Sequence, residues 1–192
     1  MGLEKKWSQP IRWLHWGLFL TITAQLFLSL VMAGPDDKHQ TALEHGTLIA
    51  HEYIGLAAAA TILIHWVYLA TAERITFEHL FPWSRSGLSL VFSELANLLR
   101  GRLPDDSEQA GLAGFIHGFG LLVATAMGLT GTVIYYHIYA GEIKTSGNHF
   151  ALFIHGTLAN LMWAYWIGHG LMALLHQLLG HNTLTGIFRL GR

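Results

Sequence analysis

Two histidines, His155 and His169, lie fourteen residues apart within one apolar run, Phe150 to Leu179. At about 100° and 1.5 Å per residue, that spacing returns to nearly the same helix face about 21 Å further along. One helix thereby offers two imidazoles, one near each side of a bilayer. Ionisable side chains are costly inside a membrane and mark function there. Imidazole is also an axial ligand of haem iron, and two haems stacked one above the other require such a pair from a shared helix.

The composition agrees with a bilayer setting. Of 192 residues, 52% are hydrophobic and 12% charged, and the mean hydropathy is positive, too apolar and charge-poor for an ordinary soluble domain. The chain has no cysteine, which excludes disulfides, thiolate zinc sites, iron–sulfur clusters and covalent c-type haem attachment. Thirteen histidines are the abundant ligands that remain. A net charge of −1 gives no reason to expect a nucleic-acid partner.

Four stretches are long enough to cross the hydrocarbon core, which takes about 20 apolar residues each: about 11–33, 48–70, 112–136 and 150–179. They leave no room for a separate soluble domain, so 1–192 is expected to be one four-span transmembrane unit. The first stretch follows Lys5, Lys6 and Arg12 but lacks a small-residue cleavage site, and it reads as a retained span. Nine basic residues (Lys5, Lys6, Arg12, Arg74, Arg85, Arg100, Arg102, Arg189, Arg192) fall on one side of the spans, against Lys38 and Lys144 on the other. By the positive-inside rule, both termini are expected in the cytoplasm of a bacterial inner-membrane protein.

Between the second and third spans, Leu88, Val91, Phe92, Leu95, Leu98 and Leu99 repeat at helical spacing, with Gly101 and Pro104 as stop signals. A short amphipathic helix is expected there, lying on the membrane surface or docked on a partner subunit. The segment Pro104 to Gln109 is polar.

Topology decides which histidines meet. His15 near the start of an outward span and His169 late in an inward one share cytoplasmic depth; His51 and His155 share periplasmic depth. Each pair is a candidate bis-imidazole set for one haem b. A lone histidine in a span is more often a packing residue, but four at matched depths, two in register on one helix, favour ligation. Spacing also admits a second scheme. His65 is fourteen residues after His51, so His51, His65, His155 and His169 could serve as ligands from two helices, as in the cytochrome b of respiratory bc complexes. His117 and His176 read as propionate, quinone-pocket or surface residues, with His117 and Glu52 the candidates for a quinone pocket. His39, His45, His79, His137, His149 and His181 are expected to be solvated. Gly55, Gly156, Gly168 and Gly170 lie close to the paired histidines in sequence, where a missing side chain lets a flat macrocycle approach, or lets helices pack closely.

The chain resembles the bacterial cytochrome b561 family and, more broadly, the di-haem cytochrome subunits of formate dehydrogenases and nickel–iron hydrogenases. The resemblance is carried by Ile11-Arg12-Trp13-Leu14-His15-Trp16, by Ala50-His51 with Gly55, and by Gly111-Leu112-Ala113 through His117. Most of all it lies in the run from His155 through Thr157-Leu158-Ala159-Asn160-Leu161 to His169, His176 and Asn182-Thr183-Leu184. It implies an all-α four-helix transmembrane bundle with two b haems, His15 and His169 binding the cytoplasmic iron and His51 and His155 the periplasmic one. Relatives can carry arginine at the place of His65, which implies a propionate partner there. Gly114 departs from relatives that have a further histidine.

The implied function is electron transfer across the membrane between quinone and a periplasmic redox protein or dehydrogenase subunits, with lipid around the spans. Some relatives instead oxidise superoxide and reduce quinone, which a basic funnel assists. Here the outer loops hold Asp36, Asp37, Glu44 and Glu142 against Lys38 and Lys144, a balance that steers an anion poorly. A haem-free metal or proton transporter would use the same histidines without needing their depth pairing.

Overall fold

The computed structural model describes residues 8–71, 74–102, 111–141 and 146–188, with the side chains of 74–76 and 146–148 left aside. It is all-helical, with no strand among the described residues: α1 (Gln9–Leu28), α2 (Ala42–Thr71), α3 (Arg74–Leu80), α4 (Arg85–Leu99), α5 (Leu112–Tyr139), α6 (Ser146–Leu178) and α7 (Thr183–Phe188). Lys5, Lys6, Glu142, Lys144, Arg189, Arg192, the Pro104–Gln109 segment and the Arg74 side chain lie outside the described parts.

Three helices are long and apolar enough to cross a membrane: Ala42–Thr71, Leu112–Tyr139 and His149–Leu178. The 20-residue α1 has comparable length, about 30 Å, but Arg12, His15 and Gln25 dilute its apolar character. It also stops earlier than the apolar pattern suggests. Leu30 N–H donates to Phe27 O at 3.2 Å and Val31 N–H to Leu28 O at 3.0 Å, tight turns that end the helix before Gly34 and Pro35.

Local chemistry explains the helix starts. Pro10 opens α1, where its missing N–H costs nothing. A capping box opens α2: Thr41 N–H donates to Glu44 Oε2 at 2.8 Å, and Glu44 N–H donates to Thr41 Oγ1 at 3.3 Å. Ser84 accepts from Gly87 N–H at 3.0 Å to start α4. This helix is the amphipathic one expected over 88–99, although the buried part of its apolar arc is narrow. Val91 is buried while Phe92 and Leu99 face outward.

The chain forms two compact units, Met1–Ile64 with Val123–Arg192 and His65–Leu122, and α2 and α5 contribute to both. In the first, Gln25 Nε2 on α1 donates to the His51 carbonyl on α2 at 2.6 Å, and Trp166 Nε1 on α6 donates to Thr23 Oγ1 on α1 at 3.0 Å. Phe27 stands edge-on to Trp163 and Trp166. Gly128 on α5 lies beside Ala59 and Ile62 of α2. Outward faces are apolar on every long helix of this unit, with Leu20, Leu63, Leu129 and Phe153 each more than half exposed. Such continuous apolar surface suits lipid, not water.

In the second unit, Trp66, Phe81 and Trp83 stack nearly parallel, at 12° and 9°. The carbonyls of His79 and Leu80 occupy the places where side chains at Gly114 and Gly118 would begin. The glycine at position 114 is therefore what allows α3 to lie against α5. His79, expected in solvent, packs its ring there instead. Glu94 Oε2 accepts from Leu112 N–H at 2.6 Å, satisfying a free donor at the start of α5.

Candidate functional site

Four of the histidines singled out in the sequence meet in two pairs within the first unit. The His15 ring on α1 and the His169 ring on α6 have centroids 6.4 Å apart at 49°. The His51 ring on α2 and the His155 ring on α6 also stand 6.4 Å apart, at 82°. An imidazole nitrogen binds a first-row metal at about 2.0–2.1 Å, and the ring centroid lies about 1.2 Å behind it, so two imidazoles facing one iron hold their centroids about 6.4 Å apart. Both pairs have that separation. Among the described residues no group of three or more His, Asp or Glu side chains is placed to hold a metal ion; these ligand-type side chains meet in twos.

Each ring has its own support. Thr130 Oγ1 on α5 donates to Ala126 O at 2.8 Å. It also lies 2.8 Å from His155 Nδ1. With the ring proton on Nδ1, Thr130 accepts it and the Nε2 lone pair is free for a ligand bond. A side chain at position 131 would press on the same ring, its Cβ 3.2 Å from His155 Cε1, so glycine there leaves the imidazole its place. Across from it, His51 Nδ1 is buried without a hydrogen-bond partner, and the His51 backbone is tied to Gln25. His169 stacks on Tyr165, one turn earlier on α6, with centroids 5.3 Å apart and planes 7° from parallel. His15 has the Phe188 ring of α7 edge-on at 5.5 Å.

The other expected residues lie elsewhere. His65 belongs to the second unit, where it is buried and its Nδ1 has no hydrogen-bond partner. His117, also of that unit, donates from Nδ1 to Ala113 O at 2.7 Å. Glu52 belongs to the first unit and accepts from Tyr139 Oη at 3.4 Å. Of the histidines expected in solvent, His39, His45 and His149 are exposed, whereas His181 bonds to His176, Nδ1 to Nδ1, at 2.8 Å. Glycines 156, 168 and 170 face open space and make no close helix contact, whereas a Cβ at Gly55 would fall 2.6 Å from the Gln25 amide nitrogen.

Sequence reasoning missed Thr130, Gln25, Tyr165 and Phe188. Two signals were available: a polar residue inside an apolar run, as Gln25 and Thr130 are, and an aromatic one helical turn before a ligand candidate, as Tyr165 is. Nothing marked Phe188.

Paired imidazoles between apolar helices, in a chain without cysteine, suit a membrane protein that holds haem of the b type. The family model described as prokaryotic cytochrome b561 matches residues 6–189, and the chain belongs to that family. It is accordingly a b-type haem protein of electron transfer across a membrane. No curated protein and no solved structure matches the chain.

Proposed function

We propose that this chain is a di-haem cytochrome of the bacterial inner membrane that passes electrons between membrane quinone and a periplasmic redox protein or dehydrogenase subunit. The observation that carries the reading is the equal 6.4 Å separation within both histidine pairs. His15 with His169, and His51 with His155, are the axial ligand sets. When bound, each haem b supplies a reversible one-electron iron couple.

The residues themselves do three things. His155 and His169, fourteen residues apart on α6, set the two sites about 21 Å apart along one rigid axis. Thr130 fixes the tautomer of His155, and Tyr165 fixes the plane of His169 by stacking. Apolar surroundings keep water from the ligand bonds, which is one of the ways a protein tunes such a couple.

In this reading α1 is a fourth span, completing a four-helix bundle in one domain with both termini cytoplasmic. Its support is that Leu20 and Phe27 face outward while His15, Thr23 and Gln25 engage α6 and α2. His65 serves as a partner of a haem propionate, and His117 of the second unit and Glu52 of the first are separate candidates for contact with quinone. Pyridine haemochrome analysis of the purified chain tests the reading. Two haems b per chain are expected; one or none overturns it.

A further inference from the structure

The six-residue helix α7 is too short to persist by itself, since isolated helices below about 12 residues are marginal even with good propensities. It is held at both ends. Gly180 at φ 87° and Asn182 at φ 51° turn the chain back after α6, left-handed conformations that glycine and asparagine tolerate best. Gln177 Oε1 then accepts from Leu184 N–H at 3.0 Å and Thr185 N–H at 3.3 Å, supplying partners for the first turn. At the far end Arg12 Nε donates to Ile187 O and Trp16 Nε1 to Phe188 O, both at 3.3 Å, serving carbonyls that a helix end leaves open. The His176–His181 bond closes the loop between the two helices.

All of this delivers one ring. Phe188 lies edge-on to His15 at 5.5 Å and 73°, to Trp16 at 4.7 Å and 74°, and to Phe19 at 5.3 Å and 67°. Edge-to-face contacts at such distances are the favoured geometry between rings and resist rotation. His15 is thus held between His169 on one side and Phe188 on another.

We propose that α7 is a clamp on the His15 imidazole, with Phe188 as a positioning residue that fixes the ring plane and keeps water from the His15–His169 pair. The proposal rests on the reading of His15 as an axial ligand. Its consequence is electronic: water admitted beside the iron stabilises the more charged ferric form and lowers the reduction potential, and a freed imidazole changes the angle between the two ligand planes.

The test uses the full chain with its haems, comparing the wild type with Phe188→Ala, Phe188→Tyr, Gln177→Ala and His15→Ala. Redox titration and electron paramagnetic resonance are the readouts. Phe188→Ala should retain two haems, lower the ferrous-to-ferric ratio of one of them about tenfold at fixed potential, which is about 59 mV for one electron, and alter that haem's resonance alone. Gln177→Ala, which releases α7 without touching His15, should move the same haem in the same direction, and carries the test if Phe188→Ala does not assemble. Phe188→Tyr should restore both signals. Two retained haems with unchanged potentials and spectra in both Phe188→Ala and Gln177→Ala overturn the clamp and leave the ligand reading standing. Two low-spin haems in His15→Ala overturn the ligand reading itself.

Discussion

His51 and His155 face each other with ring planes 82° apart, whereas His15 and His169, at the same 6.4 Å separation, stand at 49°. The angle between two axial imidazole planes sets how unequally they split the iron d orbitals. Near-perpendicular planes leave two orbitals close in energy and spread the g values of the ferric low-spin state. The protein should therefore show two distinct low-spin signals, the more anisotropic belonging to the His51–His155 pair. Resonance spectra of His51→Ala check this: the variant should lose the broader signal. Loss of the narrower one would reverse the assignment.

A second expectation separates the two ligand schemes that spacing left open. His15→Ala should remove one haem or make it high-spin, because it deletes an axial nitrogen. His65→Ala should leave both haems bound and shift one potential, since it removes a buried imidazole of the second unit and no axial bond. Optical spectra with a haem count decide. A haem lost in His65→Ala and kept in His15→Ala would establish the two-helix scheme instead.

A helix repeats its face so regularly that depth and direction matched His51 with His155 and left His15 and His65 both open for His169; the family resemblance favoured His15, whose ring stands opposite His169. The all-helical character was legible for the same reason, and three of the four expected spans are helices long and apolar enough to cross a membrane. What escaped was set by contacts between distant segments. A threonine within an apolar run announces that it needs a partner but not which one, so Thr130 could not be tied to His155. The helix α7 lies beyond the last apolar run and has six residues, too few for any periodicity. Its place follows from Gln177 just before it and from Arg12 and Trp16 near the other end of the chain. His79 was read as solvated because it lies between spans in the sequence, and nothing there shows that Gly114 leaves room for α3.

Gly55 and Gln25 should behave as one element. A Cβ at position 55 would fall 2.6 Å from the Gln25 amide nitrogen, the atom that donates to the His51 carbonyl. Gly55→Ala and Gln25→Ala therefore both break the same bond, and a hydrogen bond between membrane helices is worth about 0.6 kcal/mol on average. The double variant should lose less stability than the sum of the two single ones, as coupled neighbours do. Thermal release of the haem of the His51–His155 pair, measured across all four proteins, reads this out. Strict additivity would show that the two residues act separately.

Thr130→Val tests the support of His155 most directly. Valine keeps the shape of threonine but cannot accept from His155 Nδ1–H, so the ring loses the bond that fixes its tautomer. Leaving a buried donor unsatisfied costs about 1–3 kcal/mol, and losing such an outer partner of a metal-binding histidine typically costs about 10–100-fold in affinity. One of the two haems should then pass faster to an excess of a haem-scavenging globin, while the haem of the His15–His169 pair stays at its original rate. Thr130→Ser, which keeps the hydroxyl, should restore retention. Equal retention in the valine and wild-type proteins would mean that Thr130 does not orient His155 toward the iron.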